Sequence, residues 1–179
     1  MFYDELKGHI EALLFVNGDP LSVHRLADIL NLDKENIEDL IVKLKADMES
    51  SQRGLTIIKV AGGYQLCTKP ELSEIIEALA QVVEPKLSVA ALETLSIIAF
   101  RQPITKQEIE MLRGVRVDRV LTTLLERGLI EDVGRKEVIG RPILYGTTEE
   151  FLKCFGLDCI DDLPALPEKG IQAEIKDYV

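Results

Sequence analysis

The sequence predicts a mostly α protein of the α+β class, built as two tandem winged helix-turn-helix domains. Three observations carry this. Residues 87–148 read as three helices followed by two short strands, the order of a winged helix. The same order occurs earlier: a shift of 83 residues sets Pro20 on Pro103, Leu21 on Ile104, Ser22 on Thr105, Leu26 on Ile109 and Ile29 on Leu112. A chain of 179 residues that is 46% hydrophobic also has enough apolar side chains for two small cores.

In the first module, residues 5–16 place Leu6, Ile10, Leu13 and Leu14 on one helical face. With Phe2, Phe15 and Val16 the apolar surface extends beyond a single stripe. Such a helix is covered either by its own domain or by a second chain, so Leu6, Ile10, Leu13 and Leu14 are candidate dimerisation residues. Asn17-Gly18-Asp19-Pro20 is a turn. Ser22 then caps a helix bearing Val23, Leu26, Ile29 and Leu30, and Asp33 caps a third with Ile37, Leu40, Ile41, Leu44 and Met48 inward. Residues 55–61 and 64–68 read as a hairpin joined by Gly62-Gly63, a two-residue loop. A helix over 71–83 follows, and Glu84-Pro85 reads as a hinge.

In the second module, Ser88 caps a helix carrying Val89, Leu92, Leu95 and Ala99. Gln102-Pro103 breaks it, because proline lacks an N–H and disfavours a helical residue before it. Thr105 and Glu108 have capping-box spacing for a second helix that buries Ile109 and Leu112 and stops at Gly114. Val117, Val120, Leu121, Leu124 and Leu125 mark a third helix, ended by Gly128. Strands follow at 129–133 and 143–147, with a long wing over 134–142. Thr147-Thr148-Glu149-Glu150 caps a short helix containing Phe151, Leu152 and Phe155. The expected domains are 1–83 and 84–157, with an acidic tail at 158–179.

The net charge of −10 is unevenly spread: −6 over 1–83, zero over 84–157 and −4 over 158–179. That balance opposes unassisted duplex binding, which rests on neutralising phosphates. Cys67, Cys154 and Cys159 form no disulfide framework and are expected as reduced thiols in a cytoplasmic protein. The first residues lack a signal peptide's basic start, and no run approaches the roughly 18 apolar residues of a membrane span. His9 and His24 lie on different helices, and no nucleophile elbow, phosphate loop or zinc spacing occurs. No enzyme activity, catalytic residue, metal or cofactor is expected.

The motifs that carry a resemblance are Ala90-Ala91-Leu92-Glu93-Thr94-Leu95, Arg101-Gln102-Pro103-Ile104-Thr105, Arg113-Gly114-Val115, Leu124–Ile130, Gly140–Thr148, Phe155-Gly156-Leu157 and Asp161-Asp162-Leu163-Pro164. Through them the chain resembles the bacterial segregation and condensation protein B family, tandem winged-helix subunits of the condensin-like complex of an SMC ATPase and its kleisin. The resemblance is dense over 87–164 and thin before it. It implies a homodimer formed by the N-terminal module and kleisin binding by the C-terminal one, in chromosome condensation and partition at division. It further implies association with the nucleoid through the SMC complex. Two positions depart from the family pattern: Arg116-Val117 replaces a small polar pair that would cap the third helix, and Phe100 replaces a tyrosine.

Arg113, Arg116, Arg119, Arg135, Lys136 and Arg141 lie on or beside the third helix and the wing. In a DNA-reading winged helix that helix enters the major groove. With no net charge on the module, a solvated face, or pairing with Glu131, Asp132, Glu137 and acids of a partner peptide, is the better reading, and direct DNA binding is expected to be weak or absent. The candidate kleisin-binding residues are Arg116, Arg119, Arg135, Arg141, Tyr145, Phe151 and Phe155. Aromatics often anchor interfaces, but core packing of the last helix against the hairpin is the stronger reading for Phe151, and Tyr145 is expected at a boundary. The alternative is a tandem winged-helix transcription regulator that binds an operator with steep salt dependence.

Overall fold

The computed structural model describes residues 2–50, 52–79 and 86–165. They divide into two units, one made of 2–79 with 156–159 and the other of 86–155 with 160–165. Residues 156–159 thus belong with the first unit, although 156–157 were expected to close the second domain. The expected end of the 71–83 helix, the Glu84-Pro85 hinge and most of the acidic tail lie outside the described residues.

The first unit runs α1 (Phe2–Asn17), α2 (Val23–Leu30), α3 (Lys34–Met48), β1 (Leu55–Val60), β2 (Gly63–Thr68), a 3-10 turn (Pro70–Leu72) and α4 (Ser73–Leu79). Leu6, Ile10 and Leu14 of α1 pack with Leu26, Ile37, Leu40, Ile41, Leu44, Met48 and Ile57 into one core. The Ser22 hydroxyl accepts from the Arg25 N–H at 3.2 Å, the cap expected there. Asp33 occupies the corresponding position of α3 without a side-chain cap bond.

The hairpin differs by one residue from expectation. Its turn is Ala61-Gly62, with φ of 49° and 72°, and Val60 pairs with Gly63. Positive φ at both turn residues is the primed turn that matches strand twist. Gly63 is needed for a different reason. Leu21 and Tyr64 exchange two backbone hydrogen bonds of 2.9 Å, and a Cβ on Gly63 would lie 2.9 Å from the Leu21 carbonyl carbon.

The second unit runs α5 (Val89–Arg101), β3 (Ile104–Thr105), α6 (Lys106–Arg113), α7 (Asp118–Glu126), β4 (Ile130–Arg135), β5 (Ile143–Thr147) and α8 (Glu149–Phe155), with a 3-10 turn at Ile160–Asp162. Its sheet has the order β3-β5-β4, all antiparallel, with a bulge between Asp132 and Gly134. Strand β3 was not expected, because two residues, the second of them the helix cap Thr105, carry no period. Ile104 pairs with Tyr145 as Leu21 pairs with Tyr64, so the repeat extends to this short third strand. The buried face of α5 is broader than the expected stripe: Ala91, Thr94, Leu95, Ile97, Ile98 and Ala99 are buried, while Val89 is exposed.

Repeat-matched positions share their burial. Leu26 and Ile109 are each 0% exposed, whereas Ile29 and Leu112 are 44% and 52% exposed. The burial expected for Leu112 is therefore corrected, and Ile29 shares its exposure. Each sits three residues beyond its buried partner, near the end of an eight-residue helix where the core no longer reaches.

Candidate partner-binding site

Helix α6 is fixed by its termini. The Thr105 hydroxyl accepts from the Glu108 N–H at 3.3 Å, and the Glu108 carboxylate accepts from the Thr105 N–H at 3.0 Å and hydroxyl at 2.7 Å. This reciprocal box satisfies donors that the first helical turn leaves unpaired. Gly114 ends the helix with φ 69°. Helix α7 has no side-chain cap from Val117; instead Glu110 of α6 accepts the Val117 N–H at 3.2 Å. Lys106 and Asp118 form a second tie between the two helices.

The basic residues separate into two groups. The Arg113 guanidinium turns inward, pairing with Glu93 at 2.8 Å and donating to the Ala90 carbonyl at 2.8 Å and to the Thr94 hydroxyl. It holds α6 on α5 and is not available to a ligand. Lys136 bonds Glu108 at 2.5 Å. Arg116 and Arg119 are exposed at the start of α7, and Arg135 and Arg141 are exposed on the wing, where Arg135 donates to the Arg141 carbonyl at 3.3 Å. The wing ends in Val138 and a fully exposed Ile139.

Tyr145 lies half-buried in the central strand, between Ile104 and Asp132. Phe151 is 2% exposed and belongs to the core, which removes it from the partner-contact candidates in favour of the core reading; the Thr148 hydroxyl accepts its N–H at 3.2 Å at the start of α8. Phe155 is exposed and rests on Phe151 with ring centroids 4.7 Å apart. Sequence reasoning missed Met111, Leu112 and Val115, which are exposed along the end of α6 and its turn, next in sequence to Arg116. Periodicity alone did not mark them, because three apolar residues in eight are what one buried stripe also requires.

In the first unit, Leu6, Ile10 and Leu14 are buried in the unit's own core, and Leu13 packs against it. These three core side chains are not surface, because the α1 stripe faces α3 and the hairpin. Among the described side chains of α1, the large apolar ones that are exposed are Phe15 and Val16. Helix α4 buries none of its residues, and Ile75 and Leu79 are 69% and 81% exposed.

Among the described residues, no group of three His, Cys, Asp or Glu side chains is placed to hold a metal, and no helix is long and apolar enough to cross a membrane. Among the described residues, the carboxyl of Glu108 is strongly perturbed. The Lys136 ammonium, then the Thr105 hydroxyl and N–H, hold its carboxyl down at about 2. A depressed carboxyl adds stability above its ordinary value near 4.5, and that contribution is lost as pH falls through about 2. The urea midpoint of the second unit should therefore fall between pH 4.5 and 2, and Glu108→Gln should flatten that part of the curve. Parallel curves for the two proteins would show that the carboxylate adds nothing to folding.

A family model described as segregation and condensation complex subunit ScpB matches residues 8–166. A segregation and condensation protein B from Symbiobacterium thermophilum is 55% identical over 92% of this chain and 75% of its own length. One from Moorella thermoacetica is 50% identical over 97% of this chain and 89% of its own. Among solved structures, a dimer of the ScpB N-terminal domain complexed with a ScpA peptide is 29% identical, covering 44% of this chain and 99% of that one, with a TM-score of 0.43.

Proposed function

We propose, for a chain that belongs to the segregation and condensation complex subunit ScpB family, a scaffold role without catalysis of its own. In this reading it pairs with a second copy of itself and captures the kleisin of an SMC complex, supporting chromosome condensation and partition from the nucleoid. The observation that carries the reading is the family match across both winged-helix units, residues 8–166. ATP chemistry belongs to the SMC partner.

Exposed apolar surface on each unit gives the reading its residues. Contiguous apolar faces are stable in water when something covers them. In the first unit, Ile75, Ile76 and Leu79 of α4, with Phe15 and Val16 of α1, are the side chains assigned to the second copy. In the second unit, exposed Phe155, Met111, Leu112 and Val115 are the assigned kleisin anchors, with half-buried Tyr145 of the central strand as a further candidate. Arg116, Arg119, Arg135 and Arg141 pair with acids on the bound segment.

Anisotropy of a labelled kleisin segment tests this with the full chain. Phe155→Ala should weaken binding about tenfold or more, the effect of losing an aromatic anchor. Arg116→Ala with Arg119→Ala should mainly slow association and reduce its salt sensitivity. Failure of the unaltered protein to bind, combined with tight salt-sensitive binding of one duplex sequence, would replace the scaffold with a transcription regulator.

A further inference from the structure

The turn of the first hairpin has a ligand of its own. Ala61 donates its N–H to the Leu157 carbonyl at 2.9 Å. Gly62 donates its N–H to the Asp158 carbonyl and to an Asp158 carboxylate oxygen, both at 3.0 Å. The other carboxylate oxygen meets the Lys59 ammonium at 2.7 Å. Residues 156–159 form part of the first unit through these contacts.

The arrangement has the features of a recognition site. Two successive N–H groups in a tight turn make a small concavity that favours oxygen acceptors and negative charge. A primed turn frees both N–H groups from the strand ladder and directs them outward. Lys59, two residues before the turn, adds a cation where a carboxylate arrives. An exposed ion pair alone contributes little, but here the same aspartate is also fixed by backbone donors, which sets direction and register. The 136–142 wing of the second unit has no such two-residue turn, so the site is particular to the first.

We propose that this turn is a receptor for a short peptide offering a backbone carbonyl followed by an aspartate, and that the chain's own Leu157-Asp158 keeps it filled. A tethered occupant acts at an effective concentration on the order of millimolar, so a free peptide must compete against it. An acidic partner segment of the same chemistry gains the site only when the resident segment leaves.

Amide exchange and nitrogen–proton spectra of the full chain test this, with a synthetic peptide spanning residues 155–160 and carrying Cys159→Ser as probe. In Asp158→Ala the Ala61 and Gly62 amides should exchange at least tenfold faster than in the unaltered protein, with Leu21 and Tyr64 unchanged. The peptide should then shift the Gly62 resonance saturably in Asp158→Ala, and much less in the unaltered chain. It should have no effect on Asp158→Ala combined with Lys59→Glu. Equal exchange at Gly62 with and without Asp158, or an equal response to the peptide when Lys59 is reversed, would overturn the proposal. The outcome is independent of whether a kleisin binds elsewhere.

Discussion

Ile109→Ala is expected to lower the unfolding free energy of the second unit by about 3 kcal/mol, while Leu112→Ala, three residues away, changes it by less than about 0.5 kcal/mol. Ile109 is fully buried and is the one buried residue of α6, so its truncation opens a cavity and loosens the helix's hold on the core. Leu112 is half exposed and loses little. A domain of this size has a total stability of only about 4–10 kcal/mol, so the first substitution removes a large share. Urea unfolding of the two variants measures the difference. Equal losses would mean that α6 is rotated from the orientation described.

Gly63→Ala is expected to cost about 2–3 kcal/mol, at the upper end for overpacking. The added methyl would meet the carbonyl carbon, nitrogen and oxygen of Leu21 at 2.9–3.0 Å. All three are backbone atoms held by the Leu21–Tyr64 bridge, so nothing flexible can yield. Gly8 is the informative control. It lies inside α1 with open space around a would-be Cβ, and alanine there should stabilise by about 0.5–1 kcal/mol. Thermal unfolding of both variants reads the opposite signs. A tolerated Gly63→Ala would show that Leu21 does not sit against the hairpin as described.

Much of the fold was legible because its signals are local. Ser22, Ser88, the Thr105–Glu108 box and the Gly114 stop are chemistry within a few residues, and each occurs where the sequence places it. The repeat was legible because Pro20 and Pro103, and Leu26 and Ile109, keep their spacing. What escaped depends on distant partners. Strand β3 exists only because Tyr145 arrives opposite Ile104, and the hairpin turn is Ala61-Gly62 because Gly63 pairs with Val60 in the strand ladder, with Leu21 close against it.

The candidate sites were less legible for the same reason. Periodicity identifies an apolar face but does not say whether the chain itself covers it. It therefore put Leu6, Ile10 and Leu14 forward as interface residues, although α3 and the hairpin already enclose them. Phe151 and Phe155 are equivalent aromatic residues in sequence, four apart, yet one is buried and the other open. Arg113 reads as one more surface cation until Glu93 and Thr94 are seen to hold it. Leu157 reads as the end of the second domain and Asp158 as the start of an acidic tail, and only the contacts with Lys59, Ala61 and Gly62 show both to belong with the first unit.

Light scattering of the purified full chain, alone and with a kleisin, tests the scaffold account most directly. The account predicts the mass of a dimer for the protein alone, and a larger, stoichiometric complex when the kleisin is added. That complex should persist through a few-fold rise in salt. A monomer whose mass is unchanged by the kleisin would contradict it.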